Sequence, residues 1–205
     1  MKEYGGYIEF EIFHGKMLHE NAVALNCGRN ALAYLCKAKK IKKVYLPYFI
    51  CSSVPDLCKK IGVECESYSI NEHFEPIFNH KLENDEWLYI VNFYGQLSND
   101  YLNFWKKKYG RIIVDNAQSY YQMPIDGVDT LYTARKYFGV ADGAFLYTDK
   151  KLNEEIPVDE SFERMHFLLG RYEHNANEFY SEYASNNKLF ATEPIKQMSK
   201  LTKNI

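Results

Sequence analysis

The chain has 205 residues, with 25 Lys and Arg against 27 Asp and Glu for a net charge of −2, which is length enough for one sizeable α/β domain or two small ones. Its basic residues fall in short clusters such as Lys37, Lys39, Lys40, Lys42 and Lys43, which argues against a nucleic-acid partner or a polybasic membrane surface. Five cysteines (Cys27, Cys36, Cys51, Cys58 and Cys65) without a Cys-x-x-Cys pair, no signal-like N-terminus and no apolar run of membrane length lead to the expectation of a reduced, cytoplasmic protein that does not enter a membrane.

In chain order, a strand is expected near residues 7–12, packed outside the main sheet. A helix follows at 29–40, with Ala31, Leu32, Leu35 and Cys36 on one face, then a strand at 43–46 that Pro47 ends. A second helix at 52–61 tolerates Pro55 in its first turn and leads through Gly62 into a strand at 63–68. The strand at 87–92 precedes a helix at 99–109 that Asn99 is placed to cap and Gly110 to close. Strands at 111–114, 129–133 and 144–148 complete the alternation. Apolar strands and helices in turn predict a mostly parallel sheet covered on both faces. Beyond Asp149 the texture changes: Phe162, Met165, Leu168, Leu169, Tyr172 and Phe179 stand at helical spacing and predict one or two long amphipathic helices over 161–185, followed by a polar, weakly patterned stretch over 186–205.

In open α/β sheets ligands bind beyond the carboxyl ends of the strands, so polar residues ending apolar strands are the candidates. Gly28, Arg29 and Asn30 open a helix, where free N–H groups and the helix dipole suit a phosphate, though a Gly there also serves as a plain turn. Asp115 ends an apolar strand and is costly to bury without a partner; it is either a cap of the next turn or a functional carboxylate, with Gln118 close behind. Tyr94, Gly95 and Gln96 follow another strand end. Between two strands, Arg135 and Lys136 are followed by Tyr137, Phe138 and Gly139. An Arg-Lys pair is commonly a solvated one, but a partly buried Lys136 would lose part of its affinity for a proton and be suited to Schiff-base chemistry.

In order and spacing these segments resemble the DegT-like sugar aminotransferases, members of fold type I of the pyridoxal-phosphate (PLP) enzymes. The resemblance runs from about Asn26 to Asp149. It rests on Cys27-Gly28-Arg29-Asn30-Ala31-Leu32 against a Ser-Gly-Thr-x-Ala-Leu phosphate turn, and on Val44-Tyr45-Leu46-Pro47 through Gly62. It continues in Tyr94-Gly95-Gln96, in Asp115-Asn116-Ala117-Gln118, and in Lys136-Tyr137-Phe138-Gly139 with Asp142-Gly143.

The resemblance implies a three-layer αβα fold of the aspartate-aminotransferase large-domain type, with an N-terminal segment at 1–25, a PLP-binding large domain at 26–150 and a C-terminal helical segment at 151–205 where the family continues into a small domain. It implies PLP as cofactor, with Gly28, Arg29, Asn30 and Thr133 at its phosphate, Asp115 at the pyridine nitrogen, Gln118 near the phenolic oxygen and Lys136 as the Schiff-base lysine. Tyr94 and Gln96 would contact substrate. The implied activity is amino transfer from an amino acid to a keto sugar, nucleotide-linked, in surface-polysaccharide or amino-sugar biosynthesis, by a homodimer. Lys136, rather than the His of the related dehydratases, favours transamination.

Two departures stand out. Cys51 occupies the place of the family's ring-stacking aromatic, so stacking comes from a neighbour such as Phe49 or is absent. Arg135 stands where the family places Thr. The competing reading is a degenerate relative that keeps the fold as a non-catalytic binding or assembly module. An unrelated nucleotide-binding protein lacks its Gly-x-Gly-x-x-Gly or Walker loop. The six histidines show no ligand spacing, so no metal is expected.

Overall fold

A computed structural model describes residue 6 and residues 15–205. The strand expected at residues 7–12 lies outside them. Among the described residues, eight strands form one sheet: β1 (Val23–Leu25), β2 (Lys43–Pro47), β3 (Glu64–Ile70), β4 (Pro76–Ile77), β5 (Glu86–Val91), β6 (Ile112–Asp115), β7 (Asp129–Thr133) and β8 (Ala144–Tyr147). Their spatial order is β1-β8-β7-β6-β5-β2-β3-β4. The run β7-β6-β5-β2-β3 is parallel; β8 is antiparallel to both β7 and β1, and β4 is antiparallel to β3. The sheet therefore reaches back across the 25/26 boundary expected from the motifs, because β1 pairs with β8.

Helices cover both faces, and strand alternation decides which residue meets which helix. On β5, Tyr89 and Val91 face α1 (Gly28–Lys39) and α2 (Ser53–Ile61), in one cluster with Leu32, Leu35, Leu57, Ile113 and Leu146. Leu88 and Ile90, the alternate residues, face α3 (Asn99–Tyr109), in a cluster with Leu102, Trp105, Ile112 and Val114. Burial on both faces is the reason these strands read as continuous apolar runs.

Helix ends follow local chemistry. Cys27 caps α1 from an extended backbone, its Sγ accepting from Asn30 N at 3.5 Å. Lys40, expected as the last helical residue, instead takes a left-handed conformation (φ 56°) beyond Lys39. Gly62 closes α2 at φ 73°, a backbone state that costs glycine little. For α3 the capping residue is Ser98, not Asn99: the Ser98 backbone is extended and its Oγ accepts from Tyr101 N at 3.2 Å. The Asn99 side chain turns instead toward the Gln122 amide, from which its Oδ1 accepts at 2.7 Å.

The long helices expected over 161–185 are broken into short turns, with α4 (His166–Leu169) and α5 (Tyr180–Leu189) the α-helical pieces there. Gly170 marks the break, since a Cβ at that position would collide with the Phe179 ring, and a capping box between Asn175 and Glu178 starts a new turn. Residues 186–205, although weakly patterned, are tied to the sheet. Gln197 bridges Leu25 and Val158, and Asp142, wholly buried, accepts from Ser199 N at 2.8 Å, Ser199 Oγ at 2.7 Å and Thr202 Oγ1. Ser199 in turn caps α6 (Lys200–Asn204). All five cysteines are free thiols, and no helix among the described residues is long and apolar enough to cross a membrane.

Candidate functional site

The carboxyl ends of β5, β6 and β7 and the start of α1 surround a cavity of about 230 Å³. Of the residues singled out from the sequence, it brings together Gly28, Arg29, Asp115, Gln118, Thr133 and Lys136, with Cys51 on the wall. These come from four separate stretches of chain, joined at one mouth because parallel strands all end on the same edge of the sheet.

At one side lies the start of α1. The first N–H groups of a helix have no acceptor inside it. Asn30 N is taken by Cys27 Sγ and Ala31 N by Cys27 O at 2.9 Å, which leaves Gly28 and Arg29 facing the cavity, with open space where a side chain at Gly28 would stand. Asn30 does not join them. Its side chain is buried beneath the turn, donating to Asn26 Oδ1 at 2.9 Å and to Pro194 O at 2.6 Å.

On the opposite side Asp115 ends β6. Its Oδ1 accepts from Ala117 N at 2.8 Å and its Oδ2 from the Tyr89 hydroxyl at 2.8 Å. Burial pushes its carboxyl above the usual carboxylate range, against the opposing pull of the Ala117 amide, the Tyr89 hydroxyl and the charge of Lys136. Gln118 is fixed by accepting from Tyr94 N at 3.2 Å. Tyr94 itself sits at φ 53°, an uncommon state for a bulky residue of the kind found beside working sites.

Lys136 ends the short turn after β7. It is exposed at the mouth, not partly buried, and among the described residues it makes neither an ion pair nor a hydrogen bond. The half-buried cation is its neighbour. Arg135 lines the same cavity, is held below its ordinary pKa by burial, donates to Asn187 Oδ1 and lies over the Phe190 ring at 4.8 Å. Its Nε has no partner among the described residues. Arg29 also reaches α5, donating to Asn187 O at 2.8 Å, so one asparagine of the C-terminal segment holds both guanidiniums at the rim.

Three expectations fall differently. Gln96 lies outside this cavity, in a separate depression with Glu72, His73 and Tyr101, because the turn at Tyr94 and Gly95 carries it past the sheet edge. Tyr94 contributes its backbone, while its ring is exposed and rests edge-on against Phe74. Phe49 does not replace the aromatic missing at Cys51: its ring packs on Phe93 at 5.4 Å, and Tyr89, Phe93 and Tyr132 are the aromatics that line the cavity. Cys51 accepts from Ser53 Oγ at 3.2 Å, a contact that holds its thiol below the ordinary value. Tyr89 had no role expected from the sequence, where it looked like any residue of a buried strand, and Arg135 was expected as the cation beside Lys136 and as a departure at a motif position. Among the described residues no cluster of three possible metal ligands forms.

No protein-family profile and no curated protein matches the sequence. Solved structures do. DesV of S. venezuelae, in complex with a ketimine intermediate, matches with a TM-score of 0.50 at 18% identity over 62% of this chain and 39% of that one. NtdA from Bacillus subtilis, with bound cofactor PMP, matches with 0.52 at 17% identity over 62% and 33%. L-threonine-O-3-phosphate decarboxylase from Porphyromonas gingivalis matches with 0.50 at 15% identity over 62% and 45%. The chain thus spans less than half the length of each. At these identities the likeness bears on architecture and leaves the reaction open. The chain shares the mixed, mostly parallel α/β fold of these structures, as its ordered strand-end motifs led one to expect.

Proposed function

We propose that the cavity is a PLP site and that the chain is the cofactor-binding part of an aminotransferase acting on a keto sugar. The observation that carries this reading is the convergence of Asp115, Gln118, Thr133, Lys136 and the start of α1 at Gly28 and Arg29 on one cavity. The donor set fits the group. The start of α1 and the open space over Gly28 suit a phosphate, Arg29 and Arg135 add positive charge beside it, and Asp115 stands at the far wall with one oxygen held by Tyr89. Bound PLP would supply an electron sink for cleaving a bond at the substrate's amino carbon.

The chain's own residues then divide the work. Gly28, Arg29 and Thr133 bind the phosphate end, and Asp115 holds a proton on the ring nitrogen. Gln118, pinned by Tyr94 N, lies where it orients the ring's oxygen substituent. The exposed Lys136 Nζ, with no carboxylate partner among the described residues, is available to bond the cofactor and afterwards to carry a proton to and from the substrate carbon. A nucleotide-linked sugar, an amino-acid donor, a role in surface-polysaccharide or amino-sugar biosynthesis and a homodimer are part of the same proposal. The dimer is supported by the exposed rings of Tyr48, Phe49, Tyr94 and Tyr137, which flank residues at the cavity mouth and are the type enriched at protein interfaces.

Borohydride reduction after incubation with PLP is expected to leave a pyridoxyl adduct on the peptide containing Lys136, and Lys136→Ala to abolish both the adduct and the visible absorbance. An adduct scattered over surface lysines, or one that survives Lys136→Ala, would overturn the enzyme reading. Adduct and colour without any amino transfer from glutamate would point to the non-catalytic relative.

A further inference from the structure

We propose that Tyr89 is a positioning residue for Asp115, its phenol holding the carboxylate in place and ionised at the cavity wall. This rests on the reading of the cavity as a cofactor site. The strand register makes the contact. In the parallel pair of β5 and β6, Tyr89 stands beside Ile113 and Val91 beside Asp115, so Tyr89 and Asp115 share a face two residues apart along the strands. Only a long side chain lying up the sheet spans that diagonal, and the Tyr89 hydroxyl arrives 2.8 Å from Asp115 Oδ2. The backbone of Tyr89 is anchored from β3, one strand beyond β2, where the Tyr68 hydroxyl donates to Tyr89 O at 2.7 Å.

The two oxygens of Asp115 are held by different means. The bond to Oδ1 comes from Ala117 N, two residues along the same chain, and exists with any side chain at position 89. The bond to Oδ2 is the one side-chain hydrogen bond on this carboxylate among the described residues, and phenylalanine would remove it while filling the same space. Donation to the charged form favours that form, so Tyr89 works against the burial that favours a neutral Asp115.

The other groups facing this pair are Lys136 from the turn after β7, whose charge acts in the same direction, and the buried thiols Cys36 of α1 and Cys58 of α2 behind the Tyr89 ring. Burial and the adjacent carboxylate hold the Tyr89 phenol well above its ordinary value, so it keeps its proton and remains a donor throughout the working range of pH. A carboxylate fixed in this way presents a steady negative charge to a ring nitrogen, where a neutral or rotated one would not.

The test is a carboxyl NMR titration of Asp115 in the chain without added cofactor, comparing the native protein with Tyr89→Phe and Tyr68→Phe. Tyr89→Phe is expected to raise the Asp115 midpoint by about one pH unit or more, a tenfold change in proton affinity, with Tyr68→Phe shifting it by less than about 0.3 unit. Tyr68→Phe removes a buried hydrogen bond to the same residue's backbone, so it controls for loss of packing alone. An unmoved midpoint in Tyr89→Phe, or equal shifts in both variants, would overturn the proposal. With PLP added, Tyr89→Phe should displace the pH midpoint of the bound cofactor's absorbance, and an identical midpoint would count against it. Failure of PLP to bind any variant while the Asp115 shift persists would overturn the reading of the cavity and leave the coupling of Tyr89 to Asp115 standing.

Discussion

Between β2 and β8 the strands bury alternate side chains against α1 and α2 on one face and α3 on the other, whereas residues 151–205 join the same sheet through smaller apolar clusters around Met198 and around Met165 and Phe167, together with a set of buried polar contacts. In the first region Leu88 and Ile90 meet Leu102 and Trp105, and Tyr89 and Ile113 meet Leu32 and Leu35. In the second, Asp142 gathers Ser199 and Thr202, and Asn186 donates to Ala141 O at 2.8 Å. The apolar attachment is spread over many side chains and has no direction, so it tolerates local change. The polar contacts depend on single atoms, so the loss of one loosens the stretch it holds. The candidate site stands where the two meet: Asp115 and Tyr89 belong to the sheet, while Arg29 and Arg135 are held by Asn187 of the C-terminal segment.

Substitutions can separate the two kinds of attachment. Ile113→Ala, at a wholly buried position in the middle of β6, is expected to destabilise the fold by about 2 to 5 kcal/mol, read as a single cooperative shift of the denaturant midpoint. A loss confined to the C-terminal segment would mean that the sheet is not the common core. Asp142→Ala is expected to cost about 3 kcal/mol by stranding its buried donors. Its signature should be local: amide hydrogen exchange over residues 196–205 accelerates well before β5 and β6 respond. Equal acceleration everywhere would show that the segment is integral to the cooperative unit.

A third contact of the polar kind sits at His19, which is wholly buried. Its ring rests 4.1 Å from that of Tyr132, with its nitrogens on Tyr147 Oη at 3.1 Å and Tyr120 O at 2.9 Å. Burial holds its pKa below the ordinary 6.5. The unfolded chain therefore takes up a proton before the folded one as pH falls, and the folded state loses stability as pH drops through about 6.5 toward the lower folded value, by at most about 1.4 kcal/mol per unit. Thermal melts on either side of that pH should show the dependence in the native protein and a weaker one in His19→Gln; equal slopes would place the titrating group elsewhere. The smallest effect is expected from Ser98→Ala, about 1 kcal/mol from the lost α3 cap. That loss should appear in the global unfolding midpoint, in contrast to the segmental release expected at Asp142.

The same division decides how much could be read before the structure. Apart from the two-residue β4, which was not expected, the order of strands and helices from Lys43 to Tyr147, and most of their limits, follow from residues buried at regular spacing, since periodic burial leaves a periodic trace in the chain. The candidate site was legible where a polar residue ends an apolar strand or opens a helix, as at Asp115 and Gly28, because ending a buried strand on a carboxylate is conspicuous in itself. What the linear pattern did not contain are relations between distant residues. The diagonal reach of Tyr89 to Asp115, the inward turn of Asn30 away from the cavity, the displacement of Gln96 past the sheet edge and the break at Gly170 against Phe179 each depend on one atom's position relative to another far along the chain. Local propensity and hydrophobic spacing are set by neighbours in sequence, and the direction of a hydrogen bond or the room for one Cβ is set only when the strands and helices have packed.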